Sequence, residues 1–553
     1  MAEKPKSIKK NYIYNLIYQI LLVVAPLIVT PYVSRVLQPT GIGIQSYSAS
    51  IVSYFTLVAV LGTATFGQKA IGTLQTEAEA RSRQFWEIFL VRLITTVVSA
   101  LFYILYVFVL VPDNAIVALI FGIQLFGTIV DISWFFQGME EFGKISLSSI
   151  FFRIANIVCI FLFVKTADDL NLYVFFSVIF IVGANLSLWL YLPKYLVKVK
   201  GIRPFRDIKD VLQLFIPSVA VQIYTVLDKS MIGWLTEGSA ENGYYEQAEK
   251  VVKMALSVVS SLGTVVMPRI AQKFKQGDDE AVKFYIYKLY RCIMLAGVPM
   301  AFGLIVISDV FVPVFFGSGY EKCIPLLCIF SLLTIFIGLN SITNSQYLVP
   351  TNRQNVFTVI VIIGAVVNCA LNAVLIPLFQ AIGACIASVI GEFVVMLAGF
   401  LYVWKKKLFA ISPIFKTSVK YWIAAIIMFV PLFFIKKVMP VNVIGLIALI
   451  AIGVVVYFLM LLILRDELFL ELLKKMFGKI GKLFKREKVA VENDSSLAEQ
   501  EAAVADAQAQ FDTVAEEDAS QSGPASADGE HSDGGAEGVA PAADKSSVIP
   551  PQT

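Results

Sequence analysis

The chain has 553 residues, of which 58% are hydrophobic and only 16% are charged, whereas about a quarter of the residues are charged in an ordinary water-soluble protein. This composition excludes a soluble globular protein and predicts a membrane protein. The six cysteines show no metal or redox spacing, and the single histidine, His531, lies in a polar tail. A zinc site, histidine chemistry and a resident cofactor are therefore not expected, and neither is a nucleic-acid partner.

The net charge of +4 conceals two unlike parts of the chain. Residues 490–553 hold fourteen acidic residues and one basic residue, Lys545, so residues 1–489 carry a net charge of +17. We predict that the acidic tail is disordered, because it cannot bury enough apolar surface to offset the entropy that ordering would cost. The membrane-embedded part is strongly basic.

Apolar stretches of about 20 residues, long enough to cross a bilayer as helices, follow one another along the chain. We predict fourteen spans, at residues 12–35, 43–67, 86–111, 115–137, 146–165, 172–193, 211–235, 244–267, 286–308, 322–349, 355–377, 381–404, 418–437 and 441–464. The eighth span begins with a polar segment. Leaving it out would put the basic segment 269–288 on the side opposite the other basic loops.

Positive charges recur after every second span, which is typical of loops on the cytoplasmic side of a membrane. The intervening loops, such as 236–243, are neutral or acidic. We therefore predict an even number of spans with both termini cytoplasmic, and Lys436 and Lys437 are the exception on the outer side. No cleavable signal peptide is expected before the first span.

A short internal repeat relates the first two spans to the seventh and eighth. Placing Gly43 over Gly243, with one residue inserted, aligns 61–63 (LGT) with 262–264 (LGT). Paired halves are a recurring plan of transporters, with the substrate site between them. The repeat therefore favours two related bundles.

The predicted fold is an all-α polytopic membrane protein with two pseudo-symmetric six-helix bundles and two further helices. Its parts are an N-terminal bundle in 1–193, a cytoplasmic linker in 194–210, a C-terminal bundle in 211–404, two additional spans in 405–465, a basic amphipathic helix on the membrane surface in 466–489, and the acidic tail in 490–553. The amphipathic segment suits an anionic inner leaflet.

Charged side chains inside spans are costly in a bilayer and are therefore candidates for function. The richest group joins the seventh and eighth spans and comprises Asp228, Lys229, Glu246, Glu249, Lys250 and Lys253. The last four share one helical stripe and are spaced for two ion pairs. This group either pairs across a packing interface or lines a cavity that binds a substrate or an ion.

Isolated charges lie in several other spans. They are Arg35, Arg92, Asp131, Arg153, Arg291 and Glu392. The arginines either mark helix ends or together form a cationic lumen, which would suit a phosphorylated ligand because guanidinium binds phosphate bidentately. The candidates for ion coupling are Asp131, Asp228, Glu246 and Glu392.

Carboxamides four residues apart share a face in three spans. The pairs are Asn15 with Gln19, Asn340 with Asn344, and Asn368 with Asn372. They suit contacts with sugar hydroxyls, and they equally suit hydrogen bonds between helices.

Three blocks of sequence are informative in combination. The first is 14–16 (YNL) with 31–37 (PYVSRVL) and 41–43 (GIG), the second is 131–142 (DISWFFQGMEEF), and the third runs from 227–229 (LDK) through 243–246 (GYYE) to 262–264 (LGT) and 268–269 (PR). Together they resemble the polysaccharide biosynthesis protein family, which contains bacterial oligosaccharide flippases. The resemblance covers roughly residues 8–465 and leaves out the acidic tail.

The resemblance implies the multidrug, oligosaccharidyl-lipid and polysaccharide exporter superfamily, in which two helical bundles open alternately to either side of a central cavity. It implies an undecaprenyl-pyrophosphate-linked oligosaccharide that moves between leaflets of the bacterial cytoplasmic membrane for capsule, exopolysaccharide or O-antigen assembly. Membrane lipids, a polysaccharide polymerase and assembly proteins would be its partners. Positions matching the family's cavity residues are Arg35, Asp228, Lys229, Glu246, Lys250 and Arg269.

The sequence is also compatible with other functions. A drug/cation antiporter of the same superfamily would favour an acidic cavity, which the basic balance of the chain disfavours. A membrane polysaccharide polymerase or glycosyltransferase would be expected to carry a large outer loop or an acidic metal motif. A purely structural partner of an assembly complex would leave the buried charges without a role. No Walker A sequence is present, so direct ATP hydrolysis is not expected.

Overall fold

The computed structural model describes residues 8–110 and 114–475, which form helices and connecting turns with no strand among them. The α-helices are α1 Ile8–Val60, α2 Thr63–Thr73, α3 Ala78–Leu110, α4 Ala115–Val130, α5 Ser133–Gly138, α6 Phe142–Phe163, α7 Leu170–Ser187, α8 Ile208–Leu235, α9 Ala240–Lys275, α10 Asp279–Phe315, α11 Cys323–Phe330, α12 Leu333–Ser341, α13 Gln354–Phe379, α14 Ala381–Lys405, α15 Ser412–Ile435 and α16 Val443–Ile463. A π-helical segment, Ile342–Leu348, continues α12.

Each predicted span coincides largely with one or more of these helices. Within the described ranges, eleven helical segments are long and apolar enough to cross a membrane. One of the eleven, Ile17–Thr73, joins α1 to α2 and contains most of the first two predicted spans, and the eleven include neither α8 nor α9. The fold is therefore an all-α, multi-pass membrane fold, and the exact number of fourteen crossings stays a prediction.

The C-terminal end of the described chain tests only part of the predicted amphipathic helix. Residues 467–475 are helical. Asp466 precedes them, and its carboxylate accepts a hydrogen bond from the main-chain N–H of Phe469 at 2.9 Å, as a helix N-cap does. The rest of the predicted amphipathic helix and the acidic tail, residues 476–553, lie outside the described residues.

The first long helix is broken at Gln38, whose backbone has φ 58° and ψ 172°. Pro39 follows, and a proline disfavours helical backbone in the residue before it. The Gln38 side chain donates to the main-chain oxygen of Arg35 at 2.7 Å, which satisfies a carbonyl that the break leaves without its helical partner. The break lies between the first and second predicted spans.

The block 131–142 forms a densely packed aromatic core. Trp134, Phe135 and Phe136 are at most 1% exposed, and the Trp134 ring stacks on Phe85 of α3 with centroids 5.5 Å apart. A Cβ on Gly67 of α2 would overlap the Trp134 ring, so this position requires glycine. Much of the motif therefore packs α5 against α2 and α3.

Helices α1 and α9 cross at two glycines. A Cβ on Gly43 would overlap the carbonyl oxygen of Ser239, and a Cβ on Gly243 would overlap that of Pro39. Gly43 and Gly243 are the positions that the internal repeat aligns. A two-fold relation between two halves predicts such contacts between equivalent positions near its axis, and the division into two bundles stays a prediction.

Candidate functional site

The charged residues of α8 and α9 form one ion-pair network. The Lys229 ammonium lies 2.5 Å from Glu246 and 2.9 Å from Glu249. Lys250 lies 3.2 Å from Glu246, and Lys253 lies 2.7 Å from Glu249. The two pairs predicted from the four-residue spacing on α9 are therefore present, and Lys229 of α8 joins them.

The three lysines of this network differ in exposure. The side chain of Lys229 is 16% exposed, whereas those of Lys250 and Lys253 are 30% and 55% exposed. Lys229 forms ion pairs with both carboxylates, so its charge is used within the protein and is not available to a ligand. Three ammonium groups face two carboxylates, so the network carries one net positive charge.

Helix α1 closes the network from the other side. Ser46 donates a hydrogen bond to Glu246 at 2.9 Å, and the hydroxyls of Ser50 and Ser230 lie 3.0 Å apart. The same carboxylate of Glu246 therefore serves Lys229, Lys250 and a hydroxyl from α1. Moving α1 away from α9 would break the Ser46 contact and leave the ion pairs in place.

Asp228 lies next to Lys229 in sequence but belongs to a different cluster. Its carboxylate accepts from the hydroxyl of Tyr245 at 2.6 Å, from the hydroxyl of Ser388 at 2.5 Å, and from the side-chain amide of Asn372. These three donors are neutral, and they connect α8 to α9, α14 and α13. A buried carboxylate in such surroundings is suited to take up a proton or a small cation.

A polar cavity of about 410 Å³ adjoins the network. It lies among α1, α6 and α7, and both Arg153 of α6 and Lys250 of α9 line it. Lys250 thus connects the ion-pair network to the cavity.

Arg92 of α3 is paired deep in the protein. It is 2% exposed, and it donates to the main-chain oxygen of Asp131 at 2.9 Å and to its carboxylate at 3.2 Å. Both residues line a smaller cavity of about 170 Å³. The two candidates therefore neutralise each other, which a charge buried in a membrane protein requires.

The remaining arginine candidates lie apart from the polar cavity. Arg35 donates to the main-chain oxygen of Val314 in α10 at 2.6 Å, and Arg291 lies 3.3 Å from the buried carboxylate of Asp466. Both contacts hold helices together. Arg269 is exposed on α9, sixteen residues beyond Lys253, which is about 24 Å along a helix.

The carboxamide candidates are mostly engaged within the protein. Asn340 donates to Glu392 at 2.9 Å, and Asn344 donates to Asn340. These contacts match the interhelical alternative rather than a sugar site. Gln19 is exposed on α1, and the side chain of Asn15 lies outside the described residues.

Several residues at this site belong to no recognisable sequence pattern and were not predicted. Asn156, Tyr173 and Asn185 line the polar cavity, but single neutral polar residues form no spacing pattern. Ser46 could have been found, because the alignment of Gly43 over Gly243 places it opposite Glu246.

Comparison with known proteins finds similar sequences and similar folds. The model of the family described as polysaccharide biosynthesis protein matches residues 8–274. The putative O-antigen transporter of Escherichia coli (strain K12) is 24% identical over 411 residues, which are 73% of this chain and 98% of that protein. The protein is thus similar to a named transporter along almost all of that relative's length.

Solved structures show the same fold. The inward closed conformation of the lipid II flippase MurJ has a TM-score of 0.66 at 16% identity, covering 82% of this chain and 99% of that one. An inward-facing multidrug resistance MATE family transporter of the MOP superfamily has a TM-score of 0.55 at 12% identity, covering 71% and 96% of the two chains. Residues 8–274, just under half of the chain, thus match the polysaccharide biosynthesis protein family, and the fold resembles those of a lipid II flippase and a MATE family transporter.

Proposed function

We propose that this membrane transporter, which is not an enzyme, is a flippase for a lipid-linked oligosaccharide. The finer proposal is that undecaprenyl pyrophosphate carries the oligosaccharide repeat unit from the inner to the outer leaflet, for capsule, exopolysaccharide or O-antigen assembly. The observation that carries the proposal is the basic network of α8 and α9, which opens through Lys250 onto a polar cavity that also holds Arg153.

The physical task explains why such a cavity is needed. A pyrophosphate and several sugars cannot enter hydrocarbon unaided, because each polar group without a hydrogen-bond partner costs several kcal/mol there. Cationic and amide side chains replace the lost water. Guanidinium and ammonium groups bind phosphate without changing their own protonation.

A second cavity supports a lipid as part of the substrate. It has a volume of about 410 Å³, lies among α9, α10, α15 and α16, and is lined almost entirely by apolar side chains such as Leu295, Met300 and Leu432. A polar cavity and an apolar groove in one chain match an amphipathic substrate. We propose that the groove holds part of the lipid chain.

We also propose alternating access between two six-helix bundles, residues 1–193 and 211–404, in the bacterial cytoplasmic membrane. Both termini would then be cytoplasmic. A polysaccharide polymerase and assembly proteins would receive the product on the outer side.

The driving force is proposed to be the membrane potential, an ion gradient or both. For about two negative charges moving outward, an inside-negative potential contributes about 2.3 kcal/mol per charge per 100 mV. Among the ion-coupling candidates, Asp131 and Glu246 are paired with cationic side chains. Asp228 accepts only from neutral donors in the described part of the chain, so it is best suited to carry a coupling ion.

The decisive experiment deletes the gene and analyses the lipid-linked intermediates of the host. Accumulation of completed repeat units on the cytoplasmic leaflet is expected of a missing flippase. Incomplete units would point to a glycosyltransferase instead. Completed units that accumulate on the outer leaflet would point to a polymerase, and either result would overturn the proposal.

A further inference from the structure

The polar cavity among α1, α6 and α7 has the dimensions of a ligand site. Its volume of about 410 Å³ falls within the range of about 300–1,000 Å³ that is usual for small-molecule pockets. Two cationic side chains, Arg153 and Lys250, line it together with amides, hydroxyls and aromatic rings. No acidic side chain is among the residues that line it in the described part of the chain.

Arg153 supplies a charge that none of the described residues neutralises. Within residues 8–110 and 114–475, other arginines form ion pairs but Arg153 does not. The Arg153 guanidinium also has no hydrogen-bond partner in these ranges, and it lines the cavity. Lys250 shares one carboxylate, Glu246, with Lys229. An anion in the cavity would therefore meet one unneutralised guanidinium and one partly neutralised ammonium.

Two asparagines supply hydrogen-bond acceptors on the cavity wall. The side-chain nitrogen of Asn156 donates to the main-chain oxygen of Phe176 at 2.8 Å, and that of Asn185 donates to Gly127 at 3.3 Å. Since each of these bonds uses one N–H of the side chain, each asparagine retains its side-chain oxygen, as well as a second N–H, for a ligand. Such acceptors suit the hydroxyl groups of a sugar, which donate hydrogen bonds.

Aromatic rings complete the lining. Tyr18 of α1 and Tyr173 of α7 both border the cavity. Each presents an apolar ring that can pack on the C–H face of a sugar, with a hydroxyl at its end. Cations, acceptors and rings are thus combined in one chamber, as the parts of a sugar phosphate require.

We infer that this chamber binds the glycosyl pyrophosphate part of the substrate, with the phosphates on Arg153 and Lys250 and the sugar nearest to them against Asn156 and Asn185. The inference rests on the proposed function and deepens it, because it assigns sugar contacts to residues of α6 and α7. The carboxamide pairs of α12 and α13 have no part in it.

The test uses the full chain, purified and reconstituted in lipid nanodiscs, and measures binding by calorimetry. The probes are citronellyl pyrophosphate and citronellyl pyrophosphate that carries one hexose or N-acetylhexosamine. Arg153→Gln is expected to weaken binding of both probes about tenfold or more, and Arg153→Lys less, because an ammonium keeps the charge but loses the bidentate geometry. Asn156→Ala and Asn185→Ala are expected to weaken only the glycosylated probes.

Lys416→Gln is the matched control, because Lys416 is exposed on α15 and does not line the cavity. Thermal unfolding of each variant checks that it is folded, and Arg153→Lys provides a second variant that keeps the charge. Equal affinity of Arg153→Gln and the unchanged chain would overturn the inference while the proposed function stands. Equal losses for bare and glycosylated probes in the asparagine variants would overturn the sugar contacts. Failure of the unchanged chain to bind any pyrophosphate probe would contradict the proposed function itself.

Discussion

At the scale of single residues, the lysines of the α8 and α9 network have unequal tasks. Lys229 is the shared partner of Glu246 and Glu249 and is mostly enclosed. Lys250 is more exposed, and Glu246 retains Lys229 and Ser46 when Lys250 is removed. One lysine therefore maintains the structure, while the other is available to a ligand.

This difference predicts distinct effects of two substitutions. Lys250→Ala is expected to reduce export at least tenfold and to change stability by less than about 1 kcal/mol, because a partly exposed ion pair contributes little. Lys229→Ala is expected to abolish export and to cost about 3 kcal/mol or more, because it leaves two enclosed carboxylates without their shared cation. Export assays and thermal unfolding of the solubilised protein measure the two effects. Normal export from both variants would refute a cationic substrate site.

At the scale of helices, the crossing of α1 and α9 controls how closely two parts of the protein approach. The glycine pair permits contact between the two backbones, and Ser46 and Glu246 form a hydrogen bond nearby. If the transporter opens between α1 and α9, this crossing must separate. The glycines therefore favour the state in which α1 and α9 are in contact.

Substituting one glycine tests this role. Gly43→Ala is expected to push α1 away from α9, because the new Cβ would overlap the carbonyl oxygen of Ser239. Maleimide labelling of a cysteine placed at Ser46 should then become faster. Gly303→Ala on α10 is the control, since a Cβ there meets nothing within 4 Å. Unchanged labelling in Gly43→Ala would show that this contact does not hold the state closed.

The predicted linker between the two bundles is held by α3. The main-chain N–H of Arg203 donates to Glu87 at 3.0 Å, and the Arg206 guanidinium lies 3.1 Å from Glu87 and 2.9 Å from Asp207. Gln84 also donates to Asp207 at 2.9 Å. The linker is thus attached to the first predicted bundle up to the start of α8.

Loosening the linker should be visible by hydrogen exchange. Arg206→Ala is expected to speed exchange of the Arg203 N–H, whereas Lys198→Ala, at an exposed position of the same linker, should not.

The Arg206 guanidinium holds the pKa of the Asp207 carboxyl below its ordinary value of 3.8. Stabilisation by this depressed group is present above the unfolded-state pKa and is lost as the pH falls through the lower folded value. The contribution of Asp207 should therefore be constant between pH 6 and 8. If protection of the Arg203 N–H changed over this range and Asp207→Asn abolished the change, the depressed pKa of Asp207 would be contradicted.

At the scale of the whole molecule, the proposed transport would move a charged cargo across a membrane potential. In vesicles, an imposed inside-negative potential should speed outward movement of the pyrophosphate-linked substrate, because negative charge leaves a negative compartment. Asp228→Asn should remove any additional dependence on a proton or sodium gradient while keeping the voltage effect. Flux that ignored voltage, proton and sodium gradients alike would count against every coupled mechanism.

Much of the architecture could be predicted from the sequence, because it depends on properties of short segments. The positions of the spans follow from the length of apolar runs. The pairs of Glu246 with Lys250 and of Glu249 with Lys253 follow from helical periodicity, and both are present. The family resemblance was likewise carried by short blocks.

Contacts between distant segments were decided only by the tertiary structure. Asp131 neutralises Arg92, and Asp466 binds Arg291 from 175 residues away, so two arginines that could have lined a lumen instead join helices. Arg153 has the same residue type in a similar sequence setting, yet it faces a cavity. Periodicity orders side chains around a single helix, whereas the partner of a buried charge depends on which helices pack beside it.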